Sequence, residues 1–113
     1  MCGVAGVFHK QQVYPSRDDE AIKKMITALA HRGPDGQGFY FDDRVSLGHA
    51  RLSIIDPKGG HQPIPNEDGT VWVVCNGEIF NYIELRQDLE KRGHRFSTEC
   101  DIEVLVHLYE DYG

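Results

Sequence analysis

The sequence has 113 residues, of which 40% are hydrophobic and 27% charged, and its formal net charge at pH 7 is −6. This length suffices for one domain with one modest core, and no stretch approaches the roughly 20 apolar residues that a membrane-spanning helix needs. Acidic residues outnumber the scattered basic ones, so a nucleic-acid-binding surface is not expected. The first residues lack the basic flank and long apolar run of a secretory signal, which predicts a cytoplasmic protein.

The cysteines and histidines give no sign of a disulfide framework or a metal site. Cys2, Cys75 and Cys100 are an odd set without a Cys-x-x-Cys pair, so we expect reduced thiols. The six histidines show no close pairing on one helix face. We therefore expect no bound metal. The histidines are His9, His31, His49, His61, His94 and His107.

The chain opens with a predicted strand followed by a predicted helix. Residues 2–8, CGVAGVF, are short, apolar and typical of a buried strand. From Asp18 to about Ala30 the apolar residues recur at helical spacing, with Ser16 or Asp18 available as the cap. The apolar stripe of this helix comprises Ile22, Met25, Ile26 and Leu29. The glycines and proline of residues 31–38, HRGPDGQG, end the helix.

A hairpin and a long loop come next. The segments GFYF, residues 38–41, and VSLGHA, residues 45–50, flank the polar turn DDR and predict two antiparallel strands. The loop over residues 56–69, DPKGGHQPIPNEDG, is dense in turn-forming residues, and loops of this length are often functional. TVWVVC, residues 70–75, is the most clearly predicted strand because it is rich in β-branched and aromatic residues.

The last third predicts two helices and one short strand. A helix is expected over Tyr82–Arg92, ended by Gly93, and a strand over residues 95–98, RFST. Asp101 is expected to cap a final helix. The residues expected to face inward from that helix are Ile102, Leu105, Tyr109 and Tyr112. The fold class predicted by the whole pattern is α+β, with antiparallel strands and about three helices.

Cys2 lies where removal of Met1 would make it the N-terminal residue. A free α-amino group, with a reference pKa of about 7.7–8.0, could then act as the base for the thiol of the same residue. Retention of Met1 would abolish this arrangement, because the amine would become an amide. From position alone, the alternative that Cys2 is only a small buried hydrophobic residue is favoured.

Four other residues could complete such a site, and each has a simpler explanation. An Asn side chain beside a Gly N–H, as in Asn76-Gly77, can stabilise an oxyanion, but Asn-Gly is also a common tight turn. Arg51 can pair with a carboxylate or be an ordinary surface arginine. Asp101 can bind an ammonium group, cap a helix, or do both.

Several strings, taken together and in order, resemble the N-terminal domain of glutamine-hydrolysing asparagine synthetases over the whole length of the chain. These enzymes belong to the class II glutamine amidotransferases, which are N-terminal-nucleophile (Ntn) hydrolases, and the resemblance implies the N-terminal portion of their αββα sandwich. The strings are MCGVAGVF, HRGPDGQG, LGHARLSIIDPKGGHQP, NEDGTVWVVCNGEIFNY, ELRQDLEKRGHRF and ECDIEVLVHLYEDYG.

The resemblance implies a role for each matching residue. Cys2 would be the nucleophile, and the Asn76 side chain and Gly77 N–H would form the oxyanion hole. The glutamine-binding residues would be Arg51, Leu52, Ser53, Ile54, Ile55, Asn76, Gly77, Glu78 and Asp101. Arg51 would bind the α-carboxylate and Asp101 the α-ammonium. Around Asp101 the family usually has Ser before and Thr or Cys after, where this chain has Cys100 and Ile102, so hydrogen bonds from those neighbours would be lost.

The resemblance also implies that residues 1–113 are a partial amidotransferase domain and that the synthetase domain is absent. ATP and Mg²⁺ would be needed only by that synthetase domain, whose Ser-Gly-Gly-x-Asp-Ser phosphate loop does not occur here. The implied reaction is glutamine hydrolysis that supplies ammonia for asparagine synthesis from aspartate. The alternatives are a domain that feeds ammonia to a different acceptor, or an inactive fragment that binds glutamine. Whether the protein forms a homodimer is left open.

Overall fold

A computed structural model describes residues 2–11, 16–52 and 60–113. The chain divides into two compact units. The first comprises Met1–Ser53, His61–Pro63 and Val74–Asn76, and the second comprises Ile54–Gly60, Ile64–Val73 and Gly77–Gly113. None of the helices in the described ranges has the length and apolarity that a membrane crossing requires.

The first unit contains a three-stranded antiparallel sheet in the order β1-β3-β2, with one helix packed against it. Its elements are β1 (Gly3–Phe8), α1 (Ser16–Ala28), β2 (Gly36–Phe41) and β3 (Val45–Arg51). The predicted hairpin is confirmed, because β2 and β3 pair antiparallel. The side chain of Asp42 fixes its turn by accepting hydrogen bonds from the N–H groups of Arg44 and Val45, both at 2.8 Å.

The core of the first unit lies between α1 and the sheet. Ile22 and Ile26 from the helix and Ala50 from β3 are fully buried, and burial of each isoleucine contributes about 1.5–3 kcal/mol. Met25, which was expected in the same stripe, is 44% exposed, so its predicted position in the core is wrong. Strand β1 is also not buried throughout, because Val4 and Phe8 are exposed.

The second unit contains two helices, a 3₁₀ turn and a small sheet within the described residues. Its elements are β4 (Ile64–Pro65), β5 (Trp72–Val73), α2 (Tyr82–Lys91), the 3₁₀ turn Asp101–Glu103 and α3 (Val104–Tyr112). The end of α2 at Gly93 is confirmed, since Gly93 has a φ of +99° and the following N–H, from His94, donates to the Leu89 carbonyl. The predicted α+β class with antiparallel sheets is confirmed.

Two predicted strands are corrected by the hydrogen bonds of their backbones. Only Trp72 and Val73 of the segment 70–75 pair with a strand, because the N–H groups of Thr70 and Val71 donate to the Asn66 side chain instead. The segment 95–98 is not a strand.

Carboxylates take the N–H groups that a strand over 95–98 would use. Glu67 accepts the N–H of Arg95, and Glu103 accepts those of Ser97 and Thr98. Side-chain acceptors therefore hold the chain here in place of a neighbouring strand.

The final helix begins differently from the prediction. Cys100 precedes the 3₁₀ turn and makes no side-chain capping hydrogen bond, whereas Asp101 lies inside the turn and its carboxylate accepts the N–H of Ile79. Ile102 is buried as expected, whereas Tyr109 and Tyr112 are exposed, because α3 directs Val104, Val106 and its histidine inward. Asp101 is therefore available for another role.

Close backbone approach at Gly38 makes a testable prediction. A Cβ atom placed at Gly38 would lie 1.7 Å from the Gln62 carbonyl oxygen, whereas one at Gly6 would meet only the Leu47 side chain at 3.3 Å and a carbonyl at 3.6 Å. We expect Gly38→Ala to lower the free energy of unfolding by about 1–3 kcal/mol, and Gly6→Ala to change it by no more than about 0.5 kcal/mol. Urea unfolding of both variants checks this, and equal midpoints would contradict it.

Candidate functional site

Cys2 lies directly before β1 and makes a close contact with the backbone of Leu52. The Leu52 N–H donates to the Cys2 sulfur at 3.2 Å, and the sulfur is 3.5 Å from the Leu52 carbonyl oxygen. The register of β1 and β3 explains this contact: Gly3 pairs with Ala50, so the same alignment puts Cys2 opposite Arg51 and next to Leu52. An N–H donated to sulfur stabilises negative charge there.

Arg51 is the last residue of β3 and is 5% exposed. Its guanidinium donates to Nδ1 of His61 at 3.4 Å, and its carbonyl accepts the N–H of Asp35 at 2.8 Å. The description of Arg51 as an ordinary surface residue is therefore wrong. This buried arginine directly precedes Leu52, whose N–H donates to the Cys2 sulfur.

Two buried side chains hold the peptide groups of Cys75, the residue before Asn76. Gln62 accepts the Cys75 N–H through Oε1 at 2.6 Å, and Nε2–H of His49 donates to the Cys75 carbonyl at 3.3 Å. Gln62 is 7% exposed and His49 is 1% exposed. The N–H and the carbonyl group of Cys75, directly before Asn76, are therefore both held by buried side chains of the first unit.

The protonation state of His49 follows from its surroundings. Burial lowers the pKa of His49, the hydrogen bond to the Cys75 carbonyl partly opposes this, and the positive charge of Arg51 lowers it further. The net effect is a pKa below the ordinary value. His49 is thus neutral near pH 7 and carries its proton on Nε2, where the carbonyl requires a donor.

Asp101 lies in the second unit and holds the segment that follows the Asn-Gly pair. It is 4% exposed, and its Oδ2 accepts the N–H of Ile79 at 2.7 Å. The Cys100 sulfur lies 3.6 Å from Oδ1 and can donate its S–H there. A backbone N–H and the adjacent Cys100 thiol therefore orient this carboxylate, although hydrogen bonds from the neighbours of Asp101 were expected to be lost.

The predicted site residues that the structure describes are divided between the two units. Asn76 is half-buried, and Gly77 and Glu78 are exposed. Gly77, Glu78 and Asp101 belong to the second unit, whereas Cys2, Arg51, Leu52 and Asn76 belong to the first. Ser53, Ile54 and Ile55 lie outside the described residues. Within the first unit, Cys2 lies at the end of β3, in contact with Leu52.

A comparison with known protein families matches residues 1–113 to the glutamine amidotransferase domain. The chain belongs to this family. Among the similar proteins is asparagine synthetase [glutamine-hydrolyzing] 1 of Bacillus subtilis, which is 49% identical over 113 residues, covering 99% of this chain and 18% of that protein. The asparagine synthetase [glutamine-hydrolyzing] of Zea mays is 44% identical over 113 residues, covering all of this chain and 19% of the maize protein.

A putative asparagine synthetase [glutamine-hydrolyzing] 1 of Methanocaldococcus jannaschii is 41% identical over 131 residues, covering 98% of this chain and 23% of that protein. The amidotransferase sequence described here thus spans about a fifth of the length of these curated relatives. These similarities confirm the resemblance inferred from the ordered motifs.

The sequence analysis of this amidotransferase chain missed His49 and Gln62. Both residues occur in the motif LGHARLSIIDPKGGHQP. Neither their spacing nor their residue type shows that their side chains make hydrogen bonds to the backbone of Cys75. The only available signal was a polar residue, His49, inside a predicted strand that otherwise supplies buried positions. A buried polar group usually has a hydrogen-bond partner, and here the partner is 26 residues away.

The lowered pKa of His49 predicts a pH-dependent stability of the amidotransferase chain. Above about pH 6.5, the unfolded-state value, the contribution of His49 is fully present. As the pH falls below this value, the unfolded chain binds the proton first, so stability declines until the pH reaches the lower folded-state pKa.

We expect His49→Gln to reduce this decline, since glutamine can still donate to the Cys75 carbonyl and does not titrate. Urea midpoints of the wild type and the variant at pH 7.5 and pH 5.5 check this expectation. The other histidines titrate in both proteins, so the difference between the two declines in stability reports on His49 alone. An identical loss of stability in the two proteins would contradict the assigned neutral state of His49.

Proposed function

We propose that this amidotransferase domain hydrolyses glutamine to glutamate and ammonia, and that the protein uses the ammonia to make asparagine from aspartate. Membership of the family and the names of the relatives support this reaction. The observation that carries the proposal for this chain is the Cys2 sulfur, which accepts the Leu52 N–H beside buried Arg51. Removal of Met1 would give Cys2 the free α-amine that the chemistry needs.

In the proposed reaction, the Cys2 sulfur attacks the carbon of the glutamine side-chain amide. The α-amine of Cys2 takes the thiol proton, and the Asn76 side chain and Gly77 N–H stabilise the oxyanion. The C–N bond then breaks, and the α-ammonium returns the proton to the departing ammonia, leaving a γ-glutamyl thioester on Cys2. Water adds to the thioester, releasing glutamate and restoring the thiol.

The substrate would be held by charges at its amino-acid end. Arg51 would bind the α-carboxylate, and a bidentate pair of this kind fixes orientation as well as position. Asp101 would bind the α-ammonium, and its burial and oriented oxygens suit it to that role. The contacts around these two residues would come from Leu52, Ser53, Ile54, Ile55 and Glu78.

The rest of the proposed activity lies outside this chain. The relatives named as asparagine synthetases are about five times as long, so a synthetase domain that binds ATP and Mg²⁺ would use the ammonia. We propose a cytoplasmic location, because the three cysteines, all among the described residues, form no disulfide. A homodimer also remains a proposal.

Replacing the nucleophile tests the proposed function. In the natural protein that contains this sequence, Cys2→Ala should reduce glutamate release from glutamine to background, because no thioester can form. Asparagine synthesis from added ammonia should continue, which would show that the variant is folded. Glutamine hydrolysis by Cys2→Ala at the wild-type rate would overturn the assignment.

A second variant separates the thiol from the amine. Insertion of a lysine between Met1 and Cys2 should block methionine removal and leave the thiol without its α-amine. We expect glutamine hydrolysis to be lost, as in Cys2→Ala, and intact mass confirms that the methionine remains. Wild-type activity in this variant would eliminate the α-amine as the base.

Asn76→Ala tests the oxyanion hole. Loss of one donor to an oxyanion typically lowers turnover by about a hundredfold to a thousandfold, so kcat for glutamine hydrolysis should fall by at least that factor. KM should change little, because the donor acts mainly on the tetrahedral intermediate. Asn81→Ala is the matched control, since Asn81 precedes α2 but makes no capping hydrogen bond with its side chain. Equal kinetics for the two variants would contradict the role of Asn76.

A further inference from the structure

Four side chains from three separate segments of the second unit lie close together. They are Glu67, His94, His107 and Glu110, and one ligand atom from each lies within 4.8 Å of all the others. Glu67 follows β4, His94 follows α2, and the other two lie one turn apart on α3. The sequence analysis expected no metal site because it considered histidine pairs on one helix, whereas the fold assembles this cluster from separate segments.

We propose that this cluster is a binding site for one divalent cation of the zinc type. Two histidine nitrogens and two carboxylate oxygens are a donor set that Zn²⁺ accepts, and two carboxylates with two neutral imidazoles balance its charge. All four positions of a tetrahedron would be filled by protein. The site would therefore be structural, with no open position for a reacting water.

The distances between donor atoms agree with a tetrahedral ion. Nδ1 of His94 lies 3.5 Å from Oε1 of Glu67 and 3.2 Å from Oε2 of Glu110, and Nδ1 of His107 lies 3.2 Å and 3.6 Å from the same two oxygens. With metal–ligand bonds of about 2.0–2.1 Å, neighbouring ligands of a tetrahedral Zn²⁺ are about 3.3–3.4 Å apart. These four of the six donor–donor separations lie around this value, and the other two are no longer than 4.8 Å.

The outer nitrogens of both histidines contact carboxylates that orient the rings. Nε2 of His94 lies 3.0 Å from Oδ1 of Asp111, and Nε2 of His107 lies 3.4 Å from Oε1 of Glu103. A proton on each Nε2 leaves each Nδ1 with a lone pair directed into the cluster. This carboxylate–histidine arrangement is the usual support of metal-binding histidines.

The carboxylate ligands are oriented as well. Nδ2 of Asn66 donates to Oε1 of Glu110 at 2.8 Å, which leaves Oε2 directed at the two histidines. The backbone N–H of Arg95 donates to Oε1 of Glu67 at 2.8 Å. These two hydrogen bonds orient the carboxylates, although Glu67 and Glu110 are both exposed.

An unsatisfied buried atom points independently to a ligand. His107 is fully buried, and its Nδ1 makes no hydrogen bond within the described structure, although two carboxylate oxygens lie within 3.6 Å. The Phe96 ring packs against His107 with ring centroids 4.2 Å apart, which keeps water from that side. A buried polar atom without a partner is costly, and a metal bond would satisfy it.

The proposed ion would join three segments next to Asp101. Glu103, which contacts His107, also accepts hydrogen bonds from the N–H groups of Ser97 and Thr98 at 2.7 Å. Because Glu103 and Asp101 belong to the same 3₁₀ turn, a metal at the cluster would stiffen the turn that carries Asp101. Metal binding at this cluster does not depend on glutamine hydrolysis.

Metal titration tests the proposal without any enzymatic readout. The natural protein, with its thiols alkylated and its metals removed by a chelator, should bind one Zn²⁺ per chain in calorimetry and unfold at a higher temperature with Zn²⁺ present. Substitution with Co²⁺ should give the intense visible absorption of a tetrahedral site. The thiols are blocked so that cysteine ligands cannot account for the binding.

Glu110→Gln is the discriminating variant, because glutamine can keep the contact with Asn66 and the residue is exposed. We expect the Zn²⁺ affinity of Glu110→Gln to fall at least tenfold, and we expect the same loss in His94→Gln. Glu84→Gln, an exposed change on α2, should bind as the wild type does. Absence of Zn²⁺ binding in the folded wild type, or equal affinity in Glu110→Gln, would overturn the proposal and leave the cluster as an ion-pair network only.

Discussion

The hydrogen bond from the Leu52 N–H to the Cys2 sulfur is the contact on which the candidate site depends. It exists because β1 and β3 pair antiparallel with Gly3 opposite Ala50, so the residue before β1 reaches the residues that end β3. The packing of Ile22 and Ile26 of α1 on this sheet fixes that alignment. A change of register by one residue would turn each side chain to the other face and separate the sulfur from the Leu52 N–H.

Buried polar groups position the backbone before and after the Asn76-Gly77 pair. Gln62 and His49 hold the peptide groups before Asn76, and Asp101 holds the N–H of Ile79 after the Asn-Gly pair. Each of these side chains is more than nine-tenths buried, where a hydrogen bond left unmade costs about 1–3 kcal/mol. In the first unit the backbone of Cys75 is held by His49 and Gln62, and in the second unit the backbone of Ile79 is held by Asp101 of the 3₁₀ turn.

Elements with strong local signals were predictable from the sequence, and elements governed by distant partners were not. The stripe of Ile22 and Ile26 predicts α1, and Gly93 predicts the end of α2. The strands expected over 70–75 and 95–98 fail because Asn66, Glu67 and Glu103 take their backbone N–H groups, and nothing local reveals this. The ordered motifs identified the family and led to the proposed roles of the site residues, but the supporting His49 and Gln62 appear only once the chain is folded.

The reactivity of Cys2 is the central claim, and covalent labelling measures it most directly. A chloroketone analogue of glutamine, with its electrophilic carbon in place of the side-chain amide, should modify a single cysteine of the natural protein. The account predicts one adduct on Cys2, located by peptide mass mapping, only in chains that lack Met1, and suppressed by excess glutamine. Labelling of Cys75 or Cys100 in preference to Cys2, or labelling of Cys2 that glutamine does not suppress, would contradict it.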